Sequence, residues 1–206
     1  MSFSGVVVWV IAAGSLAPLL AQGEAPPLPP PLSEAALAAA TSRANPVARG
    51  EFLVRMGSCN DCHTPTKMGP NGPETDYSRL LSGHPEAAGV PPYVQFPEGS
   101  PWMAAFSGTF TAISGPWGIS FTRNLTPDKE TGLGSWTADE FVATIKSGRK
   151  QGRGRELLPP MPWPQCMALS EEDLRAIFAY LQSIPAIKNK VPDPVPPPAP
   201  PAAPAH

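Results

Sequence analysis

The sequence predicts a mainly α-helical domain with long loops and a β-hairpin insertion around residues 105–124. Three helices with clear start and stop signals predict this class, as does a stretch between 64 and 104 in which glycine and proline recur every few residues. A length of 206 residues favours one domain with appended tails over two full domains. The predicted folded domain covers residues 34–190, because the segments on either side are too rich in proline or too uniformly apolar to form a core of their own.

The first two predicted helices have recognisable caps. Asn45 is placed to cap the first helix, with Pro46 at its first helical position, and the helix runs to about Met56. The segment Thr137 to Glu140 has a capping-box pattern that opens the second helix, and Gly148 ends it. Each pattern supplies partners for backbone groups that the ends of a helix leave unpaired.

The third predicted helix starts at Ser170 and ends before Pro185, with acidic residues at the positive end of its dipole. Its apolar residues recur at helical spacing and define a stripe that faces the core: Leu174, Ile177, Phe178 and Leu181. An alanine-rich stretch at 34–40 predicts a further short helix. Alternating apolar and small polar residues on both sides of a turn at 115–118 predict the β-hairpin.

The two ends of the chain predict export and spacing. Residues 1–23 contain no charged side chain, and their apolar run ends in small residues, as in a secretory signal peptide; an uncleaved membrane anchor is the alternative. Many of the 30 prolines fall in two segments, a linker at 24–33 and a tail at 191–206. We expect the linker to be a semi-rigid spacer and the tail to be disordered, with docking of a partner as the alternative role.

Charge and cysteine content exclude two broad classes of protein. A formal net charge of −2 at pH 7 lacks the basic footprint of a nucleic-acid-binding protein. Three cysteines are too few for a scaffold held together by disulfides. An apolar content of 42% is enough to bury a core, which excludes a wholly disordered chain.

One motif carries chemistry, and it directly follows the first helix. In Cys59-Asn60-Asp61-Cys62-His63, two thiols three residues apart precede an imidazole. This spacing suits covalent attachment of haem, in which the thiols add across the two vinyl groups and the histidine reaches the iron. A zinc site, a redox-active dithiol and a structural disulfide are the competing interpretations. No βαβ pattern surrounds the motif, and the other candidate zinc ligands are isolated in the sequence: Cys166, His84 and His206.

With this motif, the chain resembles a monohaem c-type cytochrome of the small-helical, class I kind. Gly50 in the first helix, the motif itself and the aromatic residues of the last helix occur in the order typical of that family. Further segments resemble the cytochrome c subunits of membrane-bound periplasmic alcohol, aldehyde and gluconate dehydrogenases: Asn124–Asp128, Thr131–Trp136 and Pro159–Trp163. Those subunits carry three haem motifs, whereas this chain has one. The resemblance implies a cytochrome c-like fold with one haem c.

Met161 is the expected sixth ligand of the iron, opposite His63. The prolines that flank Met161 fix the backbone, so the loop loses little entropy when the sulfur binds, and the residue matches the family's Met-Pro-aromatic motif. His84, Met103 and Met167 are the alternatives. The predicted haem-binding set, in which the last two residues ligate the iron, is Cys59, Cys62, His63 and Met161.

Supporting groups are expected around that set. His63 needs an acceptor for its second ring nitrogen, and the resemblance points to the carbonyl of Pro70, with Pro65 as the alternative. Cys166 is expected to be a small buried hydrophobe, with a reactive thiol as the alternative. The haem propionates need donors, and four side chains are candidates: Arg123, Asn124, Trp136 and Arg149.

The sequence therefore predicts an exported, periplasmic one-electron carrier and not an enzyme. With His63 and Met161 on both axial positions, no site stays open for a substrate, and no catalytic residue is predicted. The expected partners are a dehydrogenase, a terminal acceptor of a respiratory chain, or both; nucleic acid is not among them, and membrane association depends on a retained N-terminal segment. Two alternatives are a haem enzyme or gas sensor with an open sixth position, and a tethered cytochrome subunit of a larger dehydrogenase complex.

Overall fold

A computed structural model describes residues 33–42 and 44–199. The predicted signal segment at 1–23 and nearly all of the linker at 24–33 lie outside the described residues. The helices of the described part are α1 (Glu34–Thr41), α2 (Pro46–Met56), α3 (Cys59–His63), α4 (Ala138–Ser147), α5 (Trp163–Cys166) and α6 (Glu171–Ser183). The strands are β1 (Thr66–Gly69), β2 (Gly72–Thr75), β3 (Ala105–Phe106), β4 (Ala112–Gly115) and β5 (Gly118–Phe121).

The long helices begin and end where their caps predict. The Asn45 side chain accepts a hydrogen bond from the Ala48 N–H at 3.1 Å at the start of α2. Thr137 and Glu140 form a reciprocal capping box at the start of α4, and Ser170 caps α6. Sequence-local hydrogen bonds determine these ends, and for that reason they could be predicted residue by residue.

The prediction of a mainly α class is wrong, because the described chain also contains two antiparallel sheets. β1 and β2 form a two-stranded sheet, and β3, β4 and β5 form a three-stranded sheet in that order. The predicted hairpin corresponds to β4 and β5, whose end residues Gly115 and Gly118 pair across the turn. Every residue of β4 and β5 is buried, so this sheet forms part of the interior and the fold combines α and β layers.

The β1–β2 hairpin lies in the region that the sequence predicted to be loop. Gly69 pairs with Gly72, so that Pro70 and Asn71 form a two-residue connection. Neither strand has the alternating apolar pattern that predicts strands, and Pro73 lies within β2. The Pro-Asn-Gly signal at the turn is the feature that could have revealed this hairpin.

Two apolar clusters divide the core. The helical cluster lies among α2, α4, α6 and the neighbouring loops, and its buried members are Val54, Leu81, Leu133, Phe141, Val142, Ile145, Leu174, Ile177, Phe178 and Leu181. The sheet cluster comprises Ala112, Ile119, Phe121 and Val191. Within residues 33–42 and 44–199, no helix combines the length and the apolar character needed to cross a bilayer.

The segment that follows α6 packs along the sheet. Val191 is buried in the sheet cluster, and Val195 exchanges backbone hydrogen bonds with Ile119 at 2.8 and 3.0 Å. The sequence placed the start of a disordered tail at 191, but residues 191–195 make the contacts of a folded segment. The high proline content made this segment look disordered in the sequence. An extended segment that contains proline can still add to the edge of a sheet wherever one of its N–H groups is free to pair.

His84 is a structural histidine in this fold. It is 1% exposed, its Nδ1 lies 2.9 Å from Thr111 Oγ1, and its Nε2 lies 2.7 Å from the Gly89 carbonyl. A carbonyl only accepts, so Nε2 carries the proton and Nδ1 accepts from the Thr111 hydroxyl. Burial lowers the pKa of His84, with the nearby Arg79 acting in the same direction and the Gly89 carbonyl in the opposite one.

We expect His84 to make the protein less stable in mild acid. The folded pKa lies below the ordinary value of 6.5, so the unfolded chain binds the extra proton first. The stabilisation is therefore complete above about pH 6.5 and is lost as the pH falls toward the folded pKa. His84→Gln should cost about 1–3 kcal/mol at pH 7.5, because buried partners lose their hydrogen bonds. In denaturant titrations, the stability difference between wild type and His84→Gln should shrink between pH 7.5 and 5; a constant difference would contradict the assignment.

Candidate haem-binding site

Helix α3 carries both thiols and the imidazole on little more than one turn. It follows α2 after a two-residue connection in which Ser58 has a left-handed backbone with φ 53°. The Thr64 N–H donates a hydrogen bond to the Asn60 carbonyl at 2.9 Å and closes the helical turn. Cys59, Cys62 and His63 are all partly buried. The sequence motif is therefore a local structural unit.

The ring of His63 is held by a residue far away in the sequence. Its Nδ1 lies 2.8 Å from the backbone carbonyl of Arg123, so Nδ1 donates and Nε2 is the ring nitrogen left for another partner. No hydrogen bond to Nε2 occurs among the described residues. Burial lowers the pKa of His63, and the Arg123 carbonyl acts in the opposite direction. A neutral imidazole with a fixed tautomer and a free Nε2 is what an iron ligand requires.

The expected acceptor for His63 was a different carbonyl. Pro70 lies at the tip of the β1–β2 hairpin, and the Pro65 carbonyl accepts from the Asp76 N–H at 2.8 Å. Both predictions are wrong, because the chain between β5 and α4 runs past the motif and supplies the Arg123 carbonyl. No pattern local to the motif could have identified a contact across 60 residues.

The cysteines of the described chain are all free thiols. Burial raises the pKa of Cys59 from 9.0 to about 11, and the nearby Cys166 adds to the rise. Burial and then the neighbouring Asp61 also raise the pKa of Cys62. A redox-active dithiol needs a lowered thiol pKa, so this environment disfavours that interpretation.

The described residues also argue against a zinc site. Within 33–42 and 44–199, no group of three or more His, Cys, Asp or Glu side chains could hold a metal ion. His84, the nearest candidate in sequence, already uses both ring nitrogens on Thr111 and Gly89. A structural zinc site needs four such ligands.

Met161 is the one methionine among the described residues that packs partly buried against the helical cluster. Cys59 packs against the same cluster, and so does the side chain of Trp136. Leu81, a cluster member, donates its N–H to Thr64 Oγ1 at 3.0 Å, directly beside His63. Met161 and Cys59 therefore border one apolar region, and the residue next to His63 is hydrogen-bonded to it. The other described methionines are exposed to solvent: Met56, Met68, Met103 and Met167.

The loop that carries Met161 is anchored to the sheet. Ser120 Oγ in β5 donates to the Pro159 carbonyl at 2.7 Å, and the Met161 N–H contacts the Leu158 carbonyl at 3.2 Å. Helix α5 begins two residues after Met161, at Trp163. Cys166, at the end of α5, is partly buried against the helical cluster and its thiol pKa is raised by burial, as an inert small hydrophobe requires.

Three of the four side chains proposed as propionate donors have protein partners. The Asn124 amide is buried and donates to the Ile187 carbonyl at 2.8 Å. Arg149 pairs with Glu156 at 2.6 Å, and the guanidinium of Arg123 points toward residues 191–193. Trp136, the fourth, is partly buried beside the helical cluster.

No protein-family model matches the chain. It is 31% identical over 149 residues to the cytochrome c subunit of a gluconate 2-dehydrogenase from Pantoea cypripedii, covering 72% of this chain and 25% of that protein. It is 28% identical over 150 residues to the cytochrome c subunit of a quinone-dependent alcohol dehydrogenase from Gluconobacter oxydans, covering 71% and 24%. The fructose dehydrogenase cytochrome subunit of Gluconobacter japonicus is 25% identical over 154 residues, covering 72% and 24%.

These comparisons confirm the resemblance that the motifs indicated, since the matched proteins are cytochrome c subunits of alcohol, gluconate and fructose dehydrogenases. The chain spans about a quarter of the length of the curated relatives it matches. Similarity over some 150 residues is the size of one domain, so it relates this chain to one part of each larger subunit.

Proposed function

We propose that this chain is a periplasmic one-electron carrier that passes electrons from a dehydrogenase toward a respiratory acceptor. One haem c is attached through Cys59 and Cys62, and His63 and Met161 ligate its iron. The chain transfers electrons and has no catalytic residue of its own. The relatives support this proposal, because each is named as the cytochrome subunit of a dehydrogenase.

The arrangement of His63 is the observation that carries the proposal. Its Nδ1 is committed to the Arg123 carbonyl at 2.8 Å, its Nε2 has no partner among the described residues, and two free thiols lie on the same short helix. This donor set fits haem c, for which two thioethers and one oriented imidazole are needed. A structural histidine such as His84 uses both of its nitrogens instead.

The chain's own residues supply orientation and a dry environment. The Arg123 carbonyl fixes the tautomer and the orientation of His63 and raises the basicity of the ring. Met161 offers a thioether, which favours ferrous over ferric iron more than a second histidine would. The helical cluster excludes water from the same region, which lowers the reorganisation that accompanies a change of charge. When bound, the haem supplies one reversible redox change at its iron.

A second candidate is a cytochrome subunit held within a dehydrogenase complex. The relatives' names favour it, because all three describe subunits of a dehydrogenase. The two candidates share the same redox chemistry and differ in how long the partner stays bound. Gentle solubilisation followed by affinity purification of the tagged chain distinguishes them: stoichiometric recovery of a dehydrogenase supports the subunit, and recovery of the chain alone supports the mobile carrier.

We expect one covalently bound haem per chain. A pyridine haemochrome assay should give one equivalent, and the haem should remain with the protein through acid–acetone extraction. Cys62→Ala should leave at most one thioether and sharply lower the yield of holoprotein. The matched control Cys166→Ala should keep both thioethers, because Cys166 lies outside the motif. Extractable haem, or zinc in its place, would overturn the proposal.

A further inference from the structure

His63 is connected to the C-terminal part of the chain through a single residue. The backbone carbonyl of Arg123 accepts from His63, while the guanidinium of the same residue reaches the segment after α6. Its Nη1 donates to the Pro192 carbonyl at 2.9 Å and contacts the Val191 carbonyl at 3.3 Å. Asp193 lies 4.0 Å away but is almost fully exposed, so the two carbonyls are the partners that locate the guanidinium.

Residues 187–195 form a segment that we name the strap. It is hydrogen-bonded to the rest of the fold both before and after the residues that Arg123 contacts. Asn189 is 1% exposed; its amide donates to the carbonyls of Ser82 and His84 at 2.7 and 2.9 Å, and its oxygen accepts from the Glu86 N–H at 2.9 Å. Further along, Val195 pairs with Ile119 in β5. The strap therefore holds the 82–86 loop at one point and the strand that leads to Arg123 at another.

Gly83 lets two backbone segments approach each other closely beside His63. Its N–H donates to the His63 carbonyl at 2.7 Å, and a Cβ added at this glycine would meet the Arg123 carbonyl oxygen at 2.7 Å. Its φ of +75° is also one that side-chain-bearing residues rarely adopt. The 82–84 loop thus lies directly against the carbonyl that orients His63, and Asn189 of the strap is hydrogen-bonded to the same loop.

We propose that the strap and Arg123 together form a positioning device for His63, which sets the strength of the Nδ1 hydrogen bond and thereby the reduction potential of the bound haem. This inference rests on the proposed function. A strong bond from Nδ1–H to a carbonyl makes the imidazole more electron-donating and stabilises ferric iron. Releasing the Arg123 side chain weakens that bond, so the potential rises. Among the described residues, no hydrogen bond joins the Arg123 side chain or the strap to Cys59, Cys62 or Met161.

The test uses the holoprotein, three point variants and two truncations. Arg123→Gln should raise the midpoint potential and speed hydrogen exchange of the His63 Nδ1–H about tenfold, because a closed hydrogen bond becomes an intermittently open one. Exchange is read by NMR of ¹⁵N-histidine-labelled ferrous protein. Arg175→Gln removes an exposed arginine that pairs with Asp139 on the helical surface, and should change neither quantity. Arg123→Lys should restore part of the wild-type behaviour.

Two truncations test the strap itself. Deleting 191–206 removes both carbonyl acceptors of Arg123 and should reproduce the Arg123→Gln result, whereas deleting 196–206 keeps them and should behave as wild type. Unchanged exchange and potential in both Arg123→Gln and the longer truncation, with one haem still bound, would overturn this inference alone. A wild-type chain that binds no covalent haem would instead overturn the proposed function.

Discussion

Replacing Met161 with alanine is expected to open the sixth position of the iron. Ferrous wild type should not bind carbon monoxide, and the ferrous variant should bind it readily. The sulfur-to-iron charge-transfer band of the ferric form should disappear in the same variant. The physical reason is that the remaining described methionines are exposed and lie outside the apolar region that Met161 and Cys59 share, so none is positioned to replace the lost thioether.

Substitutions at the same position and at the rival positions complete this test. Met161→His should keep six ligands but lower the midpoint potential, because imidazole favours ferric iron more than thioether does. Met103→Leu and Met167→Leu are matched controls that should leave the charge-transfer band unchanged. If Met161→Leu kept the band, the ligand assignment would be wrong. If the wild type itself bound carbon monoxide, the haem enzyme or gas sensor would replace the carrier.

The motif of the candidate site could be recognised in the sequence because it is local. Cys59, Cys62 and His63 lie within five consecutive residues, and their spacing alone indicates what they can bind. Helix ends were equally accessible, since Asn45 and Ser170 cap backbone groups only three residues away. Information of this kind is present in any short window of the chain.

The orientation of that chemistry was not predictable, because long-range contacts create it. The Arg123 carbonyl meets His63 because the chain after β5 packs against the 82–84 loop, where Gly83 allows a close approach. A backbone acceptor leaves no trace in residue type, since every residue has a carbonyl. The residue that sequence reasoning proposed for a propionate, Arg123, therefore acts here through its backbone as well as its side chain.

The error in fold class has a related cause. The β4–β5 hairpin was predicted from its alternating residues, but β1 and β2 carry mostly polar or proline residues and β3 has only two residues. A period of two cannot be recognised in strands of that composition or length. The folded part of the strap was missed because its prolines resemble those of a spacer. Val191 and Val195, which flank these prolines, nevertheless pack on the sheet.

Gly50→Ala is expected to destabilise the protein severely, although in an exposed helix the same change would stabilise it. A Cβ on Gly50 would lie 1.9 Å from the Ala176 carbonyl oxygen and 2.8 Å from Tyr180 Cβ, so α2 and α6 would have to separate. A backbone oxygen cannot rotate away, and the adjacent Arg49–Asp173 ion pair, 2.9 Å long, would be stretched as the helices part. We expect a loss of about 3 kcal/mol in the free energy of unfolding from this overpacking.

The sign of the effect makes the measurement decisive. Helix propensity alone predicts that alanine in place of glycine inside α2 would gain up to about 1 kcal/mol. Gly108→Ala is the matched control, because a Cβ there meets nothing within 4 Å, and it should change stability by no more than about 0.5 kcal/mol. Denaturant unfolding of the two holoproteins compares them directly. A Gly50→Ala protein as stable as wild type would mean that α2 and α6 do not cross at this glycine, and the close packing that supports the haem-binding region would have to be reconsidered.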